Sequence, residues 1–416
     1  MRTIDLVVIG GGSAGMASAI QAKKDGIDDI LILEKDECLG GILNQCIHNG
    51  FGLTEFKEEL TGPEYLTRFV DEVKALDIPY KLNAQVTDIT SDKKVTYSSE
   101  EDGLVTVQAK AIVVATGCFE RTAGQIQIPG DRCSGIITAG TAQKYLNIHG
   151  FMCGKKIVIL GSGDIGLIMA RRLTLEGAEV ICVSEIMPYS NGLNRNIAQC
   201  LDDYNIPLYL SRSVSKVIGK DRLEKVILSA VDEKMQFVPG TEMEIECDTL
   251  ILSVGLIPYV SLLKYINCPI SSTKGAVVNE HMETMIDGIF SAGNCLHVHD
   301  VVDFVTDEGR LAGHGAALYL NNLLPQGEEI KVIPSEGVSY VVTPVIKKAT
   351  NEDVTLKFRV KQPVKDVYLV IESQGLVIDK IIKPVLIPSE MTMVKLSLDK
   401  LQNIKGELSL RIEKRN

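Results

Sequence analysis

The sequence has no tryptophan, and aromatic residues make up only 5% of it. Its ten cysteines, at 38, 46, 118, 133, 153, 182, 200, 247, 268 and 295, form no Cys-x-x-Cys pair and show no zinc-ribbon spacing. That spacing excludes a structural zinc site of the ribbon or finger type and a Cys-x-x-Cys dithiol. Scattered thiols in such a chain read as small buried hydrophobes in a reducing compartment. Basic residues are not in excess: Lys and Arg number 43 against 54 Asp and Glu, a net charge of −11. Nucleic acid and anionic membrane surfaces, which both require basic partners, are therefore not expected to bind. A long apolar run is missing as well. The longest, around Ile157 to Ala170, is interrupted by Gly161, Gly163 and Asp164, so no integral membrane segment is expected. Met1 leads almost directly into an apolar strand, Ile4 to Ile9, with no basic n-region ahead of it. A cytoplasmic location is the expectation.

What is present is a repetition. Asp5-Leu-Val-Val-Ile-Gly-Gly-Gly-Ser-Ala-Gly15 is matched by Lys156-Ile-Val-Ile-Leu-Gly-Ser-Gly-Asp-Ile-Gly166. Each is an apolar strand running into G-x-G-x-x-G. Each is followed by a helical pattern, Met16 to Asp25 or Leu167 to Glu176, and then by a second strand ending in an acid, Glu34 or Glu185. This is the β-α-β dinucleotide unit, twice. In the first turn Gly10 allows the bend, Gly12 admits a pyrophosphate and Gly15 lets helix and strand pack. Ser13 and Ala14 open a helix whose free N–H groups and positive dipole end suit phosphate. Glu34 stands where a carboxylate accepts hydrogen bonds from a ribose diol. Gly161, Gly163, Asp164, Ile165, Gly166 and Glu185 repeat the set. An acid at the second strand end repels a 2′-phosphate, and no Lys or Arg directly follows Glu185, so NADH is expected over NADPH.

At 416 residues the chain exceeds the ~250–300 residues of a single core, so two or three domains are expected. Alternating strand and helix signals imply parallel sheets and an α/β class. Beyond Pro334 the texture changes to alternating runs such as Val354-Thr-Leu-Lys-Phe-Arg-Val360 and Glu407-Leu-Ser-Leu-Arg-Ile412, punctuated by Pro363, Pro384 and Pro388. A small antiparallel β domain of sandwich type is expected there. The acidic run Ser98 to Asp102 reads as a solvated hairpin turn.

Three further segments, Ala111-Ile-Val-Val-Ala115-Thr116-Gly117, Leu250 to Pro258 with Gly255, and Thr284 to Gly293-Asn294, complete a pattern. With the two turns, they resemble the two-dinucleotide-binding-domain flavoproteins, the glutathione reductase-like superfamily of pyridine nucleotide-disulfide oxidoreductases. The resemblance implies FAD at the first turn and NAD at the second, with the NAD domain (121–274) inserted into a discontinuous FAD domain (1–120 and 275–330). The extension 334–416 lies outside it. It further implies that Lys35, Gly41 and Val86, with the strand-end residues just named, adjoin the cofactors. Where the family usually has an Asp on the ribityl chain, this sequence has Asn294. Cys38-Leu-Gly-Gly-Ile-Leu-Asn-Gln-Cys46, Leu60-Thr-Gly-Pro-Glu-Tyr65 and Val298-His-Asp-Val-Val-Asp303 resemble a subgroup associated with a glycerol-3-phosphate dehydrogenase flavoprotein. A more distant likeness is to NAD-site subunits of amine and opine dehydrogenases.

Disulfide reductases of the superfamily carry Cys-x-x-x-x-Cys beside the flavin; here the spacing is Cys38-x7-Cys46, which does not establish disulfide reach. Cys46 is a weak candidate for a single peroxidatic thiol and otherwise a packing residue. Cys295, His297 and His299 alternate, as metal ligands on one strand face would. The stronger reading places His299 near the flavin, and no metal is expected. The implied reaction is hydride transfer between NAD(H) and FAD, with a dehydrogenase partner subunit as the other electron carrier. A self-sufficient NADH oxidase or peroxidase and a non-catalytic partner-binding subunit are the alternatives. The β extension either buttresses the FAD domain or docks a partner or a second copy. On the docking reading, cutting near Gly327 spares the flavin.

Overall fold

The structure, a computed structural model, describes residues 2–415. In chain order the elements used below are β1 (Thr3–Ile9), α1 (Ser13–Lys24), β2 (Ile30–Leu33), β3 (Gly103–Val114), α2 (Ala139–Asn147), β4 (Lys156–Leu160), α3 (Asp164–Leu175), β5 (Glu179–Ser184), β6 (Thr249–Leu252), β7 (Ile289–Ser291), α4 (Val302–Leu320), β8 (Val354–Val360), β9 (Val364–Ser373), β10 (Leu376–Leu386) and β11 (Leu408–Lys414). They fall into two compact units. One holds the chain up to Asn44, Asn49–Cys118 and everything from Pro258 on; the other holds Gln45–His48 and Phe119–Ile257.

The first unit is built on a sheet in the order Tyr80–Lys81, β2, β1, β3, Lys94–Ser99, Gln85–Ile89, with β7 also on β3. β1 pairs in parallel with β2 and β3, with Val7 opposite Leu31 and Ile112, and β7 runs parallel to the end of β3. Four of the seven β1 residues are fully buried because parallel strands are covered on both faces. The acidic run at 98–102 lies at the tight turn joining Lys94–Ser99 to β3, where Lys81 pairs with Glu101 and Asp102.

α1 and α4 cross closely because both are small at the contact. A Cβ on Gly309 or Gly313 of α4 would come within 2.4 or 2.1 Å of a backbone oxygen of Ala14 or Ser18. These glycines set the distance at which α4 packs on the helix that begins at the first Gly turn.

The second unit has a parallel sheet in the order Ile136–Thr138, β6, β4, β5, Leu208–Tyr209. A separate three-stranded antiparallel sheet joins Arg212–Gly219, Leu223–Ala230 and Met243–Glu246. Ile157, Ile159, Leu167, Met169, Leu173 and Ile251 form part of a core under α3.

The C-terminal extension is a two-sheet sandwich. Val345–Lys347, Glu329–Pro334, β11, β9 and β10 form one sheet; Val338–Val341, β8 and Thr392–Leu396 form the other. Their inner faces share a core that includes Leu356, Phe358, Leu369, Ile371 and Leu410. The expectation of an antiparallel domain needs one correction, since Glu329–Pro334 pairs with β11 in parallel, Val332 opposite Leu408. The domain's first and last strands lie side by side, a pairing no tight hairpin can make.

A second difference concerns β8. Its alternation puts Thr355, Lys357 and Arg359 on the face away from Phe358, the face that alternation alone would turn to water or a partner. Instead Lys357 is 5% exposed and bonds Glu308 of α4, while Arg359 pairs with Asp300 and donates to the Val298 carbonyl. Glu280 also accepts from the Lys347 N–H at 2.9 Å. The sandwich is therefore fastened to the α/β core of the first unit by buried polar contacts.

Candidate functional site

The first Gly turn follows directly from the end of β1. Gly10 has φ +103°, and a Cβ there would lie 2.4 Å from the Ala115 carbonyl oxygen at the end of β3. A Cβ on Gly15 would lie 1.8 Å from the Gly10 oxygen, so helix and strand can meet only without a side chain. A Cβ built on Gly12 would meet nothing within 4 Å. This is the open approach a pyrophosphate needs at a helix N-terminus, and the residues present fit the group.

Glu34 is buried, with one carboxylate oxygen accepting from the Gly11 N–H at 2.6 Å and the other from the Asp36 N–H at 2.9 Å. Gly41 faces Gly12, and a Cβ on Gly41 would lie 3.4 Å from the Gly12 Cα. Lys35 is exposed beside Asp36, and Val86 is buried on Gln85–Ile89. Thr116 donates to the Tyr259 carbonyl at 2.8 Å, and the Gly117 oxygen accepts from the Tyr259 N–H.

The second turn repeats the first. Gly161 has φ +96°, and its Cβ would lie 2.1 Å from the Ser253 oxygen. Glu185 is buried and accepts from the Ser162 N–H at 2.9 Å, the Ser162 hydroxyl at 2.6 Å and the Met187 N–H at 2.9 Å. Gly163 and Gly166 both lie against Ser253, whose hydroxyl is 3.2 Å from the Gly166 N. Asp164, expected from sequence among the cofactor contacts, turns its carboxylate to the Leu193 N–H (2.8 Å) and the Asn196 amide (2.6 Å). It anchors its own unit's loop. Its neighbour Ile165 is half-buried, and the Gly255 oxygen accepts from the Arg121 N–H.

At the third strand end, Gly293 and Asn294 follow β7 in a short 3-10 turn running to Cys295. The alternation of Cys295, His297 and His299 therefore does not lie on a strand. Cys295 is turned to the Val114 and Ala292 carbonyls, while the two imidazoles lie with ring centres 3.8 Å apart and planes tilted by 33°. Both approach Glu308, which is fully buried on α4. Its Oε1 accepts from the Gly293 N–H at 2.9 Å; its Oε2 lies 2.9 Å from His297 Nε2, 3.4 Å from His299 Nε2 and 3.0 Å from Lys357 Nζ. His297, His299 and Glu308 have the spacing of a metal-binding group. The Lys357 ammonium already stands at the carboxylate where a cation would sit, so this set is an internal ion-pair cluster. Burial drives the Glu308 carboxyl upward, but Lys357, aided by the hydrogen bond from His297, outweighs it and holds the group well below the usual range. Burial, only partly opposed by Glu308, pushes His299 down to about 4, so its ring is neutral at physiological pH. Asn294 Oδ1 accepts from the His299 N–H at 3.1 Å and faces its Nδ1 at 3.2 Å.

Cys46 belongs to the segment grouped with the second unit. It is buried, 3.8 Å from the Gln143 side-chain oxygen on α2, and desolvation pushes its thiol up to about 12. Burial disfavours the thiolate there, an environment opposite to that of a reactive cysteine. Among the described residues there is no disulfide, and no helix is long and apolar enough to cross a membrane.

Sequence reasoning missed Glu308 and Lys357. Their signal was faint: one acid within the long α4 pattern, and two cations two residues apart in a strand whose outer face was assumed to be wet.

Two Gly turns with matching strand-end acids, on parallel sheets, define an FAD- and NAD(P)-dependent oxidoreductase fold. The chain belongs to the pyridine nucleotide-disulphide oxidoreductase family, whose profile matches residues 4–309; its cofactors are FAD and NAD(P)H. It is 26% identical over 307 residues to the NAD(P)H coenzyme A polysulfide/persulfide reductase of Pyrococcus horikoshii, covering 71% of this chain and 64% of that one. It is likewise 26% identical to the NADH oxidase of Methanocaldococcus jannaschii, covering 75% and 66%. The chain thus spans about two thirds of the length of these relatives. Among solved structures, T. acidophilum thioredoxin reductase matches with a TM-score of 0.62 at 23% identity, over 78% of this chain and all of that one.

Proposed function

We propose that the protein transfers hydride between NAD(H) and FAD and exchanges electrons with a separate dehydrogenase subunit. The observation that carries the first part is the duplicated carboxylate lock. Glu185 is held at the second turn by two backbone N–H groups, as Glu34 is at the first, with one further bond from Ser162. A carboxylate fixed at that strand end suits a ribose 2′-hydroxyl and repels a 2′-phosphate. When bound, the two cofactors supply the redox chemistry themselves, and the chain's task is to hold and orient them.

The second part is favoured by the state of Cys46. A thiol pushed up to about 12 by burial is poorly suited to peroxidatic or disulfide-exchange chemistry, which favours electrons leaving the flavin without Cys46. The partner that fits the loop resemblance is a glycerol-3-phosphate dehydrogenase flavoprotein. The alternative, a self-sufficient NADH oxidase, is kept by the likeness to the M. jannaschii enzyme.

Anaerobic stopped-flow reduction tests both parts. NADH should bleach the flavin faster than NADPH by tens to a hundredfold, corresponding to ~2–3 kcal/mol for a lost hydroxyl bond and a repelled phosphate. Equal rates with the two nucleotides would remove the role of Glu185. Rapid turnover of O2 or peroxide without a partner would favour the oxidase.

A further inference from the structure

The Glu308 carboxylate works in two directions. One oxygen holds the Gly293 N–H at the start of the Gly293–Asn294 turn; the other holds Lys357 Nζ at 3.0 Å. Lys357 comes from β8 in the middle of the C-terminal sandwich, outside the matched family region, which ends at 309. Glu308 is 0% exposed and Lys357 5%. The same oxygen that meets Lys357 also meets His297 Nε2, and the adjoining His299 ring belongs to the residue whose backbone N–H holds Asn294 Oδ1. One chain of contacts therefore runs from the sandwich, through a buried carboxylate and two imidazoles, to both residues of the turn.

Such a carboxylate is retained in a protein interior only when its charge is matched. His299 contributes little positive charge, because burial keeps it neutral. The Lys357 ammonium on β8 sets a permanent opposite charge 3.0 Å from that carboxylate.

We propose that Lys357 is a positioning residue of the flavin site, fixing the Gly293–Asn294 turn through Glu308. The C-terminal sandwich thereby completes the FAD site from outside the nucleotide-binding fold. This rests on the assignment of that turn to FAD.

The test uses the full chain, reversibly stripped of flavin, with the variants Lys357→Met, Lys357→Arg, Glu308→Gln and the double variant Lys357→Met/Glu308→Gln. The dissociation constant for FAD and the midpoint potential of the bound flavin are measured at about pH 8.5, above the range in which imidazole ordinarily gains a proton. Lys357→Met leaves a bare buried carboxylate and should weaken FAD binding about tenfold or more. It should also lower the midpoint potential, because added negative charge disfavours reduction. Glu308→Gln leaves a bare cation and should raise the potential. The double variant should return towards wild type in both measurements, and Lys357→Arg should stay near it.

A purely structural role would shift both single variants in the same sense, with the double variant worst; that result overturns the proposal, as does wild-type FAD affinity in Lys357→Met. If Lys357→Met does not fold, the double variant must bind FAD more tightly than Glu308→Gln, and equal or weaker binding refutes the idea. Failure of the underlying assignment is seen separately: Asn294→Ala would then hold FAD as tightly as wild type.

Discussion

The two dinucleotide units share one device and secure it differently. In both, a strand-end acid ties the Gly turn to the residue two places beyond itself, Glu34 through Gly11 and Asp36, Glu185 through Ser162 and Met187. Beyond that they diverge. The second unit closes over its turn with its own chain, Asp164 gripping Leu193 and Asn196 and the Ser162 hydroxyl accepting from the Asn191 N–H. The first unit depends on distant sequence: α4 packs on α1 through glycines, and Glu308 links the Gly293 turn to a sandwich strand. The same local motif can thus be stabilised by a short loop or by a whole added domain. The two solutions should fail under different perturbations.

The largest effect is expected on removing the sandwich. Truncation near Gly327 strips Lys357 from Glu308, and leaving one partner of a buried pair costs ~3–5 kcal/mol. The first unit should lose FAD and stability, whereas the second should still bind NADH, read by flavin absorbance and nucleotide titration. This reverses the expectation from sequence that such a cut spares the flavin. A truncated protein that stays yellow and stable would show that the first unit is as self-contained as the second.

Next comes a matched pair in the turns. Gly15→Val drives a side chain onto the Gly10 carbonyl, 1.8 Å from its Cβ, and should cost ~3 kcal/mol or more with loss of bound flavin. Gly166→Val meets Ser253 at 2.7 Å, a smaller clash. That variant should remain yellow but be reduced poorly by NADH. If both variants lose flavin alike, the assignment of separate cofactors to the two turns fails.

The smallest effect is expected at Cys46. Cys46→Ser should change stability by ~1 kcal/mol or less and leave NADH reduction of the flavin intact. Burial raises this thiol from the ordinary 9.0 to about 12. In the unfolded chain it ionises first, so its contribution to stability is complete below pH 9 and is lost as the pH rises towards 12. Alkylation of the folded protein should show no thiolate step at Cys46 between pH 7 and about 9. A step in that window, or an extra NADH equivalent consumed by wild type but not by the variant, would restore a redox role for the thiol.

The sequence by itself determined the two β-α-β units, because each Gly, strand and acid acts within some thirty neighbouring residues and its physics is local. It also determined that the extension is built mainly of β-strands, since alternation over β8 and β11 is a property of the strands alone. Only the tertiary structure decided what the alternating polar face of β8 meets. Lys357 and Arg359 would look the same in sequence whether they faced water, a partner or this chain's own Glu308 and Asp300. Only the fold likewise placed beside His297 and His299 a buried carboxylate paired with a lysine 58 residues beyond His299. Burial and charge pairing depend on which distant elements share a core, and no periodicity in the chain records that.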